Sequence, residues 1–234
     1  MATIGAGYDL LTVIPGTTAF YLDPIFPGLG VVRSDGVPID PDGLGNFTTG
    51  FVRKGELPEG RSGVVPIEWF AEYSVSVSPV PLAPFGLGEG EADFHTVINL
   101  GGIIPTLPNT DGLVSPSVGV VSIRRQDSGG GRFDLSVNIN PLIVLTKVGG
   151  SIATLDGPDV IHHFDASGLL NPVTCIGGQW ADAAHPTRAL QNTLLETNDN
   201  FVACLDRTSK EPVTVELVSG GLKAERAVSC ALRL

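Results

Sequence analysis

This sequence predicts an all-β protein: an antiparallel β-sandwich, jelly-roll-like strand order being one form open to it, with long loops and at most one short helix. Three observations predict it. Oily and polar residues alternate with a period of two over several stretches, the mark of half-buried strands. The 30 Gly and 18 Pro are spread along the chain without a period, as turns between short strands require. Helical spacing is confined to residues 187–197, where Leu190, Leu194 and Leu195 follow Pro186.

Along the chain, strands are expected first at residues 9–14, 17–22 and 47–53. The longest alternation covers residues 67–78. It places Ile67, Trp69, Ala71, Tyr73, Val75 and Val77 on one face and Glu68, Phe70, Glu72, Ser74, Ser76 and Ser78 on the other. Trp69 is therefore expected in the core. Strands at 93–100 and 118–125 come next, and residues 132–140 alternate Phe133, Leu135, Val137 and Ile139 with polar neighbours. Asp127-Ser128-Gly129-Gly130-Gly131 reads as the turn of a hairpin with a flexible tip. Short strands follow at 142–148, 160–164 and 201–205. Near the end, Val213, Val215 and Leu217 face one way. Gly220-Gly221 then turns the chain, and Val228, Cys230, Leu232 and Leu234 alternate to the last residue. The longest Gly/Pro-rich loops are 79–90 and 101–116. A chain of 234 residues closes a sizeable core, so one domain, 1–234, is expected, with two packed β subdomains dividing near 110–118 as the alternative.

Hydrophobic residues make up 42% of the chain and charged residues 17%, which is too apolar for disorder and leaves a surface of Ser, Thr, Asn, Gly and Pro. The net charge is -11, and no basic run exceeds the pairs Arg53-Lys54 and Arg124-Arg125, so nucleic acid and anionic membrane surfaces are not expected partners. No window approaches the roughly 18 consecutive apolar residues of a spanning helix, and membrane insertion is not expected. The opening MATIGAGYDL lacks a basic region followed by an apolar stretch, which fits a cytoplasmic chain or the mature form of an exported one.

The candidates for chemistry are few. Cys175, Cys204 and Cys230 allow one disulfide, with Cys175 and Cys204 the candidate pair, or serve as small buried apolar residues; none forms a C-x-x-C zinc motif. Asp40, Asp42 and Asn46 place oxygen ligands in a glycine-bearing loop of the kind Ca²⁺ requires, but the closing bidentate Glu is missing and a solvated loop is the favoured reading. Asn46-Phe47-Thr48 in that loop is an N-x-T sequon, which argues for exposure. No other metal or cofactor is expected. Asp127-Ser128-Gly129 matches the aspartic-protease loop, but that chemistry needs a second copy, which the sequence lacks. His162 and His163 are neighbours on a strand and point to opposite faces, so with His95 and His185 they read as structural. Neither a Gly-x-Ser-x-Gly elbow nor a phosphate-cradling loop occurs, and an enzyme is not expected. Trp180 is the one residue offered for stacking on a sugar.

Four blocks carry a resemblance. They are Gly7-Tyr8-Asp9-Leu10 through Pro15-Gly16-Thr17-Thr18; Val65-Pro66-Ile67-Glu68 leading into 74–80; Val121-Ser122-Ile123-Arg124-Arg125 with Gly130-Gly131-Arg132-Phe133-Asp134; and Gly177-Gly178-Gln179-Trp180 ending at His185-Pro186. In order and spacing they resemble an uncharacterised group of exported bacterial Gly/Pro-rich β proteins. The resemblance implies secretion and a sandwich-like fold, and no activity.

The expected function is that of an extracellular structural protein, a subunit that self-assembles into a bacterial surface layer, fibre or matrix. Association is expected through sheet edges or the terminal strands at 1–14 and 227–234. The alternative is a non-catalytic glycan- or ligand-binding module using loops 79–90 and 101–116 around Trp180. A hydrolase gathering distant Asp, Glu or His residues has the least support.

Overall fold

A computed structural model describes residues 3–39, 47–169, 171–182, 188–190, 193–195, 201–204, 206–209, 211, 213–219 and 224–230. Of these, 188–190, 193–195, 202, 219 and 224–230 are described by backbone alone. The chain is all-β and antiparallel. Its strands are β1 (Gly7–Val13), β2 (Thr18–Tyr21), β3 (Val31–Gly36), β4 (Thr49–Arg53), β5 (Gly63–Ser76), β6 (Val80–Pro81), β7 (Glu91–Asn99), β8 (Val118–Asp127) and β9 (Gly130–Val137). After these come β10 (Leu142–Thr146), β11 (Val160–Asp165), β12 (Val173–Ala181), β13 (Arg188–Leu190), β14 (Thr193–Leu195), β15 (Val202–Ala203), β16 (Val215–Ser219) and β17 (Ala224–Cys230). All but β13 and β14 belong to one branched sheet.

The expected helix over residues 187–197 is not formed at the residues described there, which pair as the hairpin β13–β14 with Leu190 opposite Thr193. A segment this short gains little from helix propagation, and three leucines suit a hairpin as well. β3 and β12 have no counterpart among the expected strands. In β12 the reason is physical: its pairing with β9 slips between Cys175 and Gly178, so the two-residue rhythm is interrupted.

β5 organises the molecule. Residues 63–68 pair with β8, 67–72 with β4, and 71–75 with β7, while Ser74 and Ser76 lie opposite β3. Against β4, Gly50 faces Ala71 but Phe51 faces Trp69, so Phe70 is an extra residue, a β-bulge. A bulge shifts every later side chain to the opposite face. Before it, Val65, Ile67 and Trp69 are buried; after it, Glu72, Ser74 and Ser76 are buried, while Tyr73 and Val75 are half-buried and Val77 is exposed. The single face expected for residues 67–77 is thus corrected. Gly50 makes room for the bulge, since a Cβ there would lie 2.7 Å from the Phe70 ring.

Two hydrophobic clusters result. The larger includes Val65, Ile67, Trp69, Val121, Ile123, Phe133, Leu135 and Trp180. The second, built on Phe70, Ala71, Val97 and Val144, is roofed by the loop residues Ile39, Phe47, Ile104, Leu107, Val114 and Ile152. Asn99 secures that roof. Its buried side-chain amide donates to the carbonyls of Ile104, Leu107 and Pro108 at 2.9, 3.1 and 3.3 Å and accepts from the Ile104 N–H at 2.9 Å. The β8–β9 hairpin turns with Asp127 and Ser128 exposed, and behind the turn a Cβ on Gly131 would stand 2.0 Å from the Arg124 carbonyl oxygen.

The terminal strands pair internally. β1 lies between β4 and β17, and β17 pairs with β1, β2 and β16. Residues 7–11 pair with β4 and residues 11–13 with β17, so the described part of β1 is built into the sheet. No helix of the described residues is long and apolar enough to cross a membrane.

Candidate functional site

Trp180 is fully buried, stacked on Phe201 at 5.1 Å between ring centroids, with the Arg125 guanidinium 5.6 Å from its ring. It offers no sugar platform. Alternation along β12 carries Trp180 inward beside Cys175 once the bulge at Ile176 and Gly177 has been absorbed, and linear reading does not reveal that bulge.

Cys175 and Cys204 are buried and not joined to each other, so the candidate disulfide is not present. Both pack in the larger cluster as small apolar residues. Burial is the main cause that pushes the Cys175 pKa up to about 11; the Asp134 carboxylate adds to the rise and the Gly178 N–H opposes it. At neutral pH that sulfur is a thiol and an inert one. The side chain of Cys230 lies outside the described residues, as do Asp40, Asp42 and Asn46 of the calcium candidate and His185.

Asp127 serves the β8–β9 turn. Its Oδ1 accepts the Gly129 N–H at 2.8 Å and its Oδ2 pairs with Arg207. His162 and His163 are exposed on β11. Among the described residues, no three His, Cys, Asp or Glu side chains are grouped so as to hold a metal ion.

Two polar arrangements escape the linear reading. Arg53 on β4 is fully buried; its Nε donates to Asp9 Oδ2 at 2.6 Å, its Nη1 donates to the Gly5 carbonyl at 2.6 Å, and its guanidinium lies 4.6 Å from the centre of the Phe201 ring. The pair ties the N-terminal strands to the aromatic centre of the core. A buried pair of this kind fixes geometry more than it adds stability.

The second arrangement crosses three strands. Thr146 Oγ1 donates to the Lys147 carbonyl at 2.9 Å, which leaves its lone pair to receive the His95 Nε2–H at 3.0 Å. Nδ1 of His95 then accepts from the Tyr73 hydroxyl at a long 3.4 Å, so the chain of donors has one direction and His95 is neutral. Burial lowers the His95 pKa to about 4, against the opposing pull of the Asp93 carboxylate. Burial raises the Tyr73 pKa, and Asp93 adds to that rise. The signal available in the sequence was the run of Tyr73, His95 and Thr146 on strands, but nothing linear brings those strands together.

A shallow cleft of about 230 Å³ lies between the β12 bulge and β16, bordered by Arg132, Ile176, Gln179 and Glu216. The Arg132 guanidinium donates to the Gly177 carbonyl at 2.8 Å, which braces the bulge.

Set beside protein-family models, curated proteins and solved structures, the chain finds no match.

Proposed function

We propose that the protein is an extracellular structural subunit that assembles with copies of itself into a bacterial surface layer, fibre or matrix. The observation that carries the reading is the open edge of β11, which among the described strands pairs with β10 alone. Ala166 N–H bonds to the Pro141 carbonyl, and the alternation of an antiparallel ladder then points the His163 and Asp165 backbone groups outward. Val160–Asp165 contains neither Lys nor Pro, the residues that usually blunt an edge. The low charge content supports a scaffolding surface, and the resemblance to exported β proteins supports the location. The glycan-binding reading loses its anchor with Trp180 inside the core.

Negative-stain electron microscopy and size-exclusion chromatography of the purified chain test the proposal. Filaments or sheets, with material eluting ahead of a monomer, are the expected result. His163→Pro, which removes one outward N–H, is expected to abolish them. A sharp monomer at high concentration, with or without calcium, overturns the reading.

A further inference from the structure

The residues along the free edge of β11 stand in an order that fits a second copy of itself. Against β10 the pairing runs regularly, with Leu142 opposite Asp165, Ile143 opposite Phe164, Val144 opposite His163 and Leu145 opposite His162. It then slips, so that Val160 meets Thr146 and Ile161 faces no residue of β10. The unbroken edge is therefore residues 162–165, and within it His163 and Asp165 turn their N–H and C=O groups outward. Their exposed side chains share one face of the sheet. Phe164 stands on the other face, half-buried, with its ring 5.5 Å from Phe26 and 6.1 Å from Phe85, and His162 stacks on it at 6.2 Å. The edge thus borders a partly open aromatic cluster.

An antiparallel neighbour sets outward residues against outward residues, so a second β11 can join this edge only in steps of two residues. Setting His163 against His163, or Asp165 against Asp165, engages one such pair and opposes like side chains, which for the two carboxylates is repulsive. Setting His163 of one copy against Asp165 of the other engages both pairs and gives each carboxylate an imidazole N–H to accept. Asp165 keeps an oxygen for that bond, because the Ser167 N–H at 2.7 Å uses its Oδ1. In the same register Phe164 falls on the two-fold axis, opposite Phe164 of the second copy in a non-hydrogen-bonded pair, where an antiparallel ladder brings side chains closest. The aromatic clusters of the two copies then meet across the axis.

We propose that two copies of the chain join their sheets edge to edge through β11, antiparallel about a two-fold axis at Phe164, with His163 of each against Asp165 of the other. The inference rests on the reading as an assembly subunit and deepens it, because it names the partner and the register at that edge. A two-fold junction closes on itself, so the pair is the unit from which a layer or fibre is built through other contacts. Residues 162–165 offer about 13 Å of edge at about 3.3 Å a residue, so the pair is of the weak, concentration-dependent class.

Sedimentation equilibrium on the whole chain, up to about 1 mM, and disulfide trapping provide the test. Wild type is expected to show a dimer as the first species above the monomer. His163→Asp sets carboxylate against carboxylate at both ends of the junction and is expected to weaken the dimer about tenfold or more, with an unchanged circular dichroism spectrum. Adding Asp165→His exchanges the two side chains and is expected to restore it. Phe164→Cys places two sulfurs within bonding reach across the axis, so mild oxidation is expected to give more covalent dimer than in wild type or in His163→Cys, where the two sulfurs are not opposed. That trap leaves the Asp165 turn intact and decides the question if the exchanged variant does not fold. If Phe164→Cys gives no more covalent dimer than wild type, or a folded exchanged variant stays dissociated, the register is overturned, while the edge reading stands if wild type assembles and His163→Pro does not. If wild type stays monomeric up to about 1 mM, both fall.

Discussion

Residues 63–69 and 71–76 belong to one strand, yet they bury their side chains by opposite rules. The first half sends Val65, Ile67 and Trp69 into the larger cluster and leaves Val64 and Pro66 outside. The second half buries Glu72, Ser74 and Ser76 on that same side, where the Ser74 and Thr96 hydroxyls bond to each other. Its aromatic and aliphatic residues turn toward the loop-roofed cluster and the His95 chain. One inserted residue, Phe70, separates the two regimes. The first half is held by burial of oily surface, whereas the second is held by polar groups that must each find a partner.

That contrast yields tests of decreasing size. Trp69→Ala empties the first half and is expected to cost about 3–5 kcal/mol in denaturant unfolding. Val75→Ala, although it sits on the face that simple alternation assigns to the core, is expected to cost about 1 kcal/mol or less. Equal losses, after allowance for side-chain size, would remove the distinction between the halves.

The second half should respond to acid where the first does not. His95 has a folded pKa of about 4, below the ordinary value near 6.5. The unfolded chain therefore takes up a proton that the folded one refuses, and stability present above about pH 6.5 is lost as pH falls toward 4. The loss from this one group is expected to approach about 3 kcal/mol. His95→Gln should be less stable at pH 7, and its deficit should shrink toward pH 4 in unfolding curves measured across that range. A constant deficit would mean that His95 is not held neutral.

At the junction, Gly50→Ala drives a methyl group against the Phe70 ring and is expected to cost about 1–3 kcal/mol. Phe70→Leu should relieve much of that penalty, giving a coupling energy in a double-mutant cycle. Strict additivity would deny that the two residues share the bulge. The last test is at the hydroxyl pair. Ser74→Ala alone strands the Thr96 hydroxyl and is expected to cost about 1–2 kcal/mol, while Ser74→Ala with Thr96→Val is expected to be near neutral.

Much of the architecture was legible in the chain. The alternation of Phe133, Leu135 and Val137 survives intact in β9, and Val215 and Leu217 are buried as their spacing implies. Trp69 lies in the core for the stated reason. Asp127-Ser128-Gly129 forms the turn that its Asp and Gly favour. The sites were far less legible. Trp180 and Cys175 share a strand with a bulge that resets their face, and the three leucines of 187–197 carried a helical rhythm too brief to compete with a hairpin. Loops 79–90 and 101–116 are marked in the sequence by their Gly and Pro content, but their packing is not. The second is pinned under Asn99, through bonds to carbonyls that sequence does not place near it.

Sequence alone determined that the regular structure of this chain is nearly all strand, because period-two segregation of oily and polar residues is satisfied by strands stacked into sheets. It also determined the charge balance and where many turns fall. Which face each strand shows to the core was settled by tertiary structure, at Phe70 in β5 and at Ile176 and Gly177 in β12, because a bulge is a property of two strands in register and not of either one. The same is true of Arg53 with Asp9 and of Tyr73, His95 and Thr146. Their partners are distant in the chain, and adjacency across a sheet exists only once the strands have chosen their neighbours.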